Sequence, residues 1–198
     1  MDKVQAEKDI KLIREVMETS ARYTNLSGVS GIIAGVLALL GCALTYWITF
    51  AFQGGEQITW YAITWVLILG ISILQDLVLA QRKARSRGEE YFTPATLQVY
   101  KAVLPGIFVA AVLSIRALTL GELDAIPALW ALGYGTALCA AGRFSAREVR
   151  VFGVIELTTG AIALFFFSTW DYSLYVLGLS FGMYHILFGL WMTRKYGW

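Results

Sequence analysis

Charge is what this sequence has least of: Asp, Glu, Lys and Arg make up 15% of its 198 residues, and ligand-type side chains are nearly absent, with one histidine and two cysteines. One histidine and two cysteines fall short of the four ligands of a structural zinc site. There is no metal-binding helix motif, nucleophile elbow or phosphate-cradling glycine loop. Gly133, Tyr134 and Gly135 lie inside an apolar run, without the strand, turn and helix that a nucleotide motif needs. These absences argue against an enzyme and imply neither metal nor cofactor.

What is present is apolar. Hydrophobic residues make up 58% of the chain and mean hydropathy is +0.62, values that belong to a bilayer protein. Hydrophobic runs recur about every 25 to 30 residues, each near the ~20 residues that cross a ~30 Å hydrocarbon core as a helix. The expected spans are 29–51, 59–80, 98–118, 124–142, 149–168 and 172–193. The first follows a charged segment of more than twenty residues and is too long for a signal-peptide core, so the N-terminus is expected to be retained. The fold class is all-α: a polytopic membrane protein, a six-transmembrane-helix bundle (26–198) preceded by a cytoplasmic amphipathic helix (1–25).

Cations set the expected orientation. Lys3, Lys8, Lys11, Arg14 and Arg22 precede the first span; Arg82, Lys83, Arg85, Arg87 and Lys101 flank the second loop; Arg143, Arg147 and Arg150 occupy the fourth; Arg194 and Lys195 end the sixth span. The intervening loops hold Glu56, Glu122, Asp124 and Asp171, with Arg116 the one nearby cation. The positive-inside rule then places both termini in the cytoplasm, at the inner (cytoplasmic) membrane. The basic face favours anionic lipid headgroups, and topogenesis accounts for it without nucleic acid. Tyr and Trp cluster at span ends, as in Tyr46 and Trp47, Trp60 and Tyr61, Trp170 and Tyr172, where such rings anchor helices at headgroup level.

Outside the spans, Ala6, Ile10, Ile13, Met17 and Ala21 recur at helical spacing, with Lys3 and Glu7, Lys11 and Glu15, and Arg14 and Glu18 four apart. This amphipathic helix is expected to lie on the membrane or to cover the inner end of the bundle, the alternative being a cytoplasmic protein partner or its own copy. In the loop at 81–97, Thr93 before Pro94 reads as an N-cap followed by proline at the first helical position. Small residues four apart, including Gly31 and Gly35 in the first span, Gly160 in the fifth, and Gly178 and Gly182 in the sixth, predict close helix packing, within the chain or in a homo-oligomer.

A shift of 125 residues aligns Gly28 with Gly153, Gly35 with Gly160 and Ala38 with Ala163, which suggests three related hairpins. In the last of these, Gly153, Val154, Ile155, Glu156 and Leu157, then Gly160, Ala161 and Ile162, then Leu177 and Gly178, and Phe188 and Gly189 through Arg194 and Lys195 resemble the glycine-spaced hairpin of the HdeD-like small membrane proteins. Some of those are associated with acid resistance. The resemblance implies a fold of helical hairpins and brings no recognised catalytic site. The charged N-terminal helix and the basic second loop depart from the compact family pattern.

Ionisable residues inside the spans are the candidates for function. Glu156 lies about 10 Å from the inner start of the fifth span and His185 about 12 Å from the inner end of the sixth, by helix rise, so they share a level. A charge near the bilayer centre costs on the order of 3 kcal/mol, so pairing or a hydrated cavity is expected. Thr158, Thr159 and Tyr184 extend this polar set along the chain, and Gln75 and Asp76 of the second span reach a similar level. Arg116 is expected to snorkel outward and to meet Glu122 or Asp124. Cys42 and Cys139 differ in depth by roughly 14 Å and are expected to be free thiols. The leading expectation is a small membrane protein of sensory, stress-response or scaffold type. A proton- or ion-coupled transporter or channel using Glu156, His185 and Asp76 is the alternative, and an intramembrane enzyme the third class.

Overall fold

The computed structural model describes residues 9–10, 26–167 and 170–197. The amphipathic helix expected over 1–25 lies outside these, except for Asp9 and Ile10, which are helical. Helices α1 (Gly28–Ala51), α2 (Gly54–Ser86) and α3 (Pro94–Leu120) are followed by a 3-10 turn (Leu123–Ala125) leading into α4 (Ile126–Ala141), and then by α5 (Arg147–Phe166). The sixth span begins as α6 (Trp170–Leu177), passes through a π-helical segment (Gly178–Tyr184) and continues as α7 (His185–Tyr196). No strand occurs among the described residues. Six helical segments among the described residues are long and apolar enough to cross a membrane, the fourth including the 3-10 turn and the sixth formed by α6, the π-helical segment and α7 together.

Helix ends follow local chemistry. Thr93 caps α3 by accepting from the Thr96 N–H at 3.2 Å, with Pro94 at the first position. α2 continues past its apolar run to Ser86, because Lys83 and Arg85 place positive charge at the negative end of its dipole. It stops at Gly88, whose φ of 71° permits the Glu89 N–H to reach back to Ala84 O at 3.0 Å.

The core is built of small residues, while large ones face outward. Ala80, Ala84, Ala110, Ala131 and Ala137 are buried, whereas Phe108 is 69% exposed and Phe165 80%. A soluble protein would reverse this arrangement. In lipid there is no hydrophobic gain from burying leucine against leucine, so close backbone packing of small residues holds helices together.

That packing forms two layers. α4 lies between α3 and α5, and α1 lies between α2 and the sixth span. A Cβ at Gly106 would fall 2.5 Å from Gly133 O, one at Gly153 2.6 Å from Cys139 N, and one at Gly35 2.6 Å from Gly182 O. The layers approach each other where α6 meets α4 and the 3-10 turn, around buried Ala128, Ala163 and Val176. Farther toward the end that carries Leu26 and Gly197, α5 and α7 stand apart and side chains bridge them. There Lys195 pairs with Glu148 and Tyr196 Oη donates to Glu148 at 3.1 Å. Lys83 ties the same end together through Leu26 O at 2.7 Å and Gly197 O at 3.2 Å.

Candidate functional site

Residues one apart on a helix point about 100° apart and residues two apart about 200°, so Gly133 and Gly135 face opposite sides of α4. Gly133 meets Ala110 and Gly106 of α3; Gly135 meets Gly153 O of α5. The helix is thereby clamped at backbone distance on both sides, and Tyr134 takes the remaining direction, toward the sixth span. Its hydroxyl lies 3.1 Å from His185 Nε2, and the two rings stack at 5.3 Å. Phe152 meets the imidazole edge-on at 5.0 Å and Phe181 stacks on it at 5.7 Å.

The π-helical segment brings a serine to the same point. In an α-helix, residues five apart diverge by about 140°, whereas i to i+5 bonding in a π-helix aligns them. Ser180 and His185 therefore share a side: His185 Nδ1 lies 3.1 Å from Ser180 O, and Ser180 Oγ donates to Glu156 Oε2. Glu156 and Ser180 are both 0% exposed.

Hydrogen-bond accounting fixes the proton positions on the imidazole. A carbonyl oxygen only accepts, so Nδ1 carries a hydrogen toward Ser180 O; in the neutral ring Nε2 then accepts from Tyr134 Oη. Glu156 Oε1 has no hydrogen-bond partner and lies 3.9 Å from His185 Nδ1. A buried oxygen without a donor is a costly arrangement. Nδ1, which already carries a hydrogen, has no lone pair to take a proton from Glu156, and a second proton enters the ring only at Nε2, beside Tyr134. The carboxyl and the imidazole are therefore adjacent groups that each gain or lose a proton rather than partners in a direct transfer.

The other polar residues singled out from the sequence are placed differently. Thr159 donates to Tyr184 Oη at 3.4 Å, a separate contact between the same two spans. Asp76 is bonded to Ser30 of α1 at 2.6 Å, although Tyr134 stands within Coulombic reach of both Asp76 and Glu156. Thr158 returns its hydroxyl to Val154 O and Ile155 O within its own helix, and Arg116 bonds Thr119 at 3.2 Å. Both cysteines are free. Among the small residues, a Cβ at Gly31 would lie 3.2 Å from Gly189 Cα, at Gly160 2.6 Å from Leu132 N, and at Gly182 2.5 Å from Leu39 Cδ2. At Gly178 the nearest atom is 3.8 Å away, an ordinary contact.

Tyr134, Ser180, Phe152 and Phe181 were not legible as site residues. The available signal for Tyr134 was its position between two glycines; for Ser180 there was none, since its orientation depends on the π-helical segment. Among the described residues, no group of three or more His, Cys, Asp or Glu side chains could hold a metal. No family model, curated protein or solved structure matches the chain, so the geometry of the site itself carries its functional assignment.

Proposed function

We propose that this is a proton-responsive membrane protein of sensory or stress-response type, in which gain and loss of protons at Glu156 and His185 change how the two helix layers fit together. The observation that supports this reading is the fully buried Glu156, with one carboxyl oxygen bonded to Ser180 and the other unpartnered 3.9 Å from His185 Nδ1. With Glu156 protonated, two neutral groups lie side by side; with Glu156 ionised and a second proton taken up by His185 at Nε2, the two form an ion pair in a buried site. These states differ in charge separation at a seam where α5 and α7 are joined by side chains rather than by backbone packing, so the seam responds to which state is occupied. The HdeD-like resemblance of the last hairpin is in keeping with a role in acid stress. The basic loops orient the chain with both termini in the cytoplasm and favour contact with anionic lipid.

The test is a pH titration of the purified protein in lipid nanodiscs, read by tryptophan fluorescence across about pH 5 to 8, the interval where histidine chemistry operates. The parent should show a reversible transition that Glu156→Gln abolishes while retaining helical content. A parent signal that is flat across this interval would end the proposal.

A second reading, a proton- or ion-coupled transporter, is favoured by one feature. Asp76 of α2 and Tyr134 of α4, in different layers, are both half-buried and close enough to interact electrostatically, as residues near a cleft would be. Proteoliposomes carrying a trapped pH dye decide between the two readings: proton flux that requires Glu156 supports transport.

A further inference from the structure

Ser30 is the centre of a second polar cluster, between α1 and α2. Its hydroxyl lies 2.8 Å from Ser27 O and 2.6 Å from Asp76 Oδ1. One hydroxyl carries one hydrogen, and a backbone carbonyl and an ionised carboxylate are both acceptors, so one of these contacts lacks a proton. Gln75 adds to the surplus. Its Nε2 donates to Ser30 O and to Ser72 O, both at 3.0 Å, which fixes the amide's orientation and leaves the buried Oε1 without a donor.

Ser27 stands at the N-cap of α1, yet its hydroxyl caps nothing and is buried without a partner, in a residue 5% exposed. Asp76 has no ion pair among the described residues. The cations and phenols around it are otherwise engaged: Lys83, two turns along α2, bonds Leu26 O and Gly197 O. Tyr100 of α3 is bonded to Tyr91, and Tyr134 of α4 to His185. The N-terminal end of α1 supplies roughly half an elementary charge, which leaves much of a carboxylate's charge uncompensated.

Oxygen acceptors thus outnumber donors around a carboxyl group inside a membrane span. We propose that Asp76, Ser30, Ser27 and Gln75 form a second site, independent of Glu156 and His185, that takes a small monovalent cation on Asp76, either a proton or a sodium ion. A proton completes the chain from Asp76 through Ser30 Oγ to Ser27 O. A sodium ion would use the carboxylate together with the neutral oxygens of Ser27, Ser30 and Gln75. An all-oxygen set suits a hard cation, and a single carboxylate suits one positive charge rather than two.

Two measurements on the full chain in phosphatidylcholine nanodiscs test this. Infrared difference spectra across about pH 5 to 8 should contain a carboxylic-acid band that Asp76→Asn removes and Glu156→Gln leaves, which separates this site from the one proposed above. Thermal midpoints are then compared in sodium chloride and in choline chloride at equal ionic strength and fixed pH. A band unaffected by sodium assigns the proton. A saturable sodium stabilisation, lost in Asp76→Asn and shifted to higher sodium in Ser27→Ala, assigns the ion. Ser27→Ala removes a hydroxyl that bonds nothing, so it should fold as the parent does. Absence of both an Asp76-dependent band and an Asp76-dependent sodium effect overturns the proposal.

Discussion

His185 Nδ1 lies 3.1 Å from the carbonyl of Ser180, five residues earlier, because a π-helical segment turns both residues to one side of the sixth span. That relationship places the Ser180 hydroxyl on Glu156 and leaves the imidazole's other nitrogen for Tyr134. Four residues from three spans are joined through it.

Ser180→Ala should destabilise the protein by about 1–3 kcal/mol, the usual cost of leaving a buried polar group unsatisfied, because Glu156 then loses its one hydrogen-bond donor. Reversible unfolding in bicelles measures this. The same substitution made in Glu156→Leu should cost at least about 0.5 kcal/mol less, the coupling expected of residues in contact. Equal costs in the two backgrounds would show that the hydroxyl and the carboxyl do not interact.

His185 is the chain's single histidine, so nitrogen-15 histidine labelling yields one imidazole to observe. The neutral ring should carry its hydrogen on Nδ1. Tyr134→Phe keeps the stacked ring and removes the hydroxyl 3.1 Å from Nε2, so the Nε2 resonance should move while the Nδ1 resonance stays. A proton found on Nε2 would reverse the donor assignment along the whole chain of bonds.

Glycines in these spans should divide into two kinds. Gly153→Ala puts a methyl group 2.6 Å from Cys139 N and 2.9 Å from Gly135 O, so α4 and α5 must separate; the expected loss is about 1–3 kcal/mol. Gly70→Ala meets nothing within 4 Å and should stabilise α2 by about 0.5–1 kcal/mol. Thermal midpoints of the two variants should move in opposite directions, and a shared direction would contradict the tight contact between α4 and α5.

The proposed orientation is tested by labelling. In a background with Cys42 and Cys139 replaced by serine, a cysteine at Glu56 should react with an impermeant reagent from outside intact cells, and one at Ser86 only after the cells are opened. Both positions are exposed, at opposite ends of α2. Reaction of both from one side would be incompatible with α2 crossing the bilayer.

The amino-acid sequence by itself determined the number and placement of the apolar helices and several of their ends. Hydropathy and capping are local properties: twenty apolar residues satisfy their backbone groups as a helix whatever surrounds them, and Thr93 and Pro94 start α3 from the chain alone. The levels of Glu156 and His185 along their helices are likewise arithmetic on residue number. The direction each side chain faces is not. Hydropathic periodicity is weak where lipid and protein interior are both apolar, so no pattern distinguishes the Tyr134 side of α4 from its lipid side. The choice was made by glycine contacts with two different helices, Gly133 on α3 and Gly135 on α5. In the sixth span an α-helical periodicity would separate Ser180 from His185. Only the tertiary structure, through the π-helical segment packed on Gly35 and Leu39 of α1 and facing Glu156 of α5, decided that they act together, because a helix register is set by what the helix packs against.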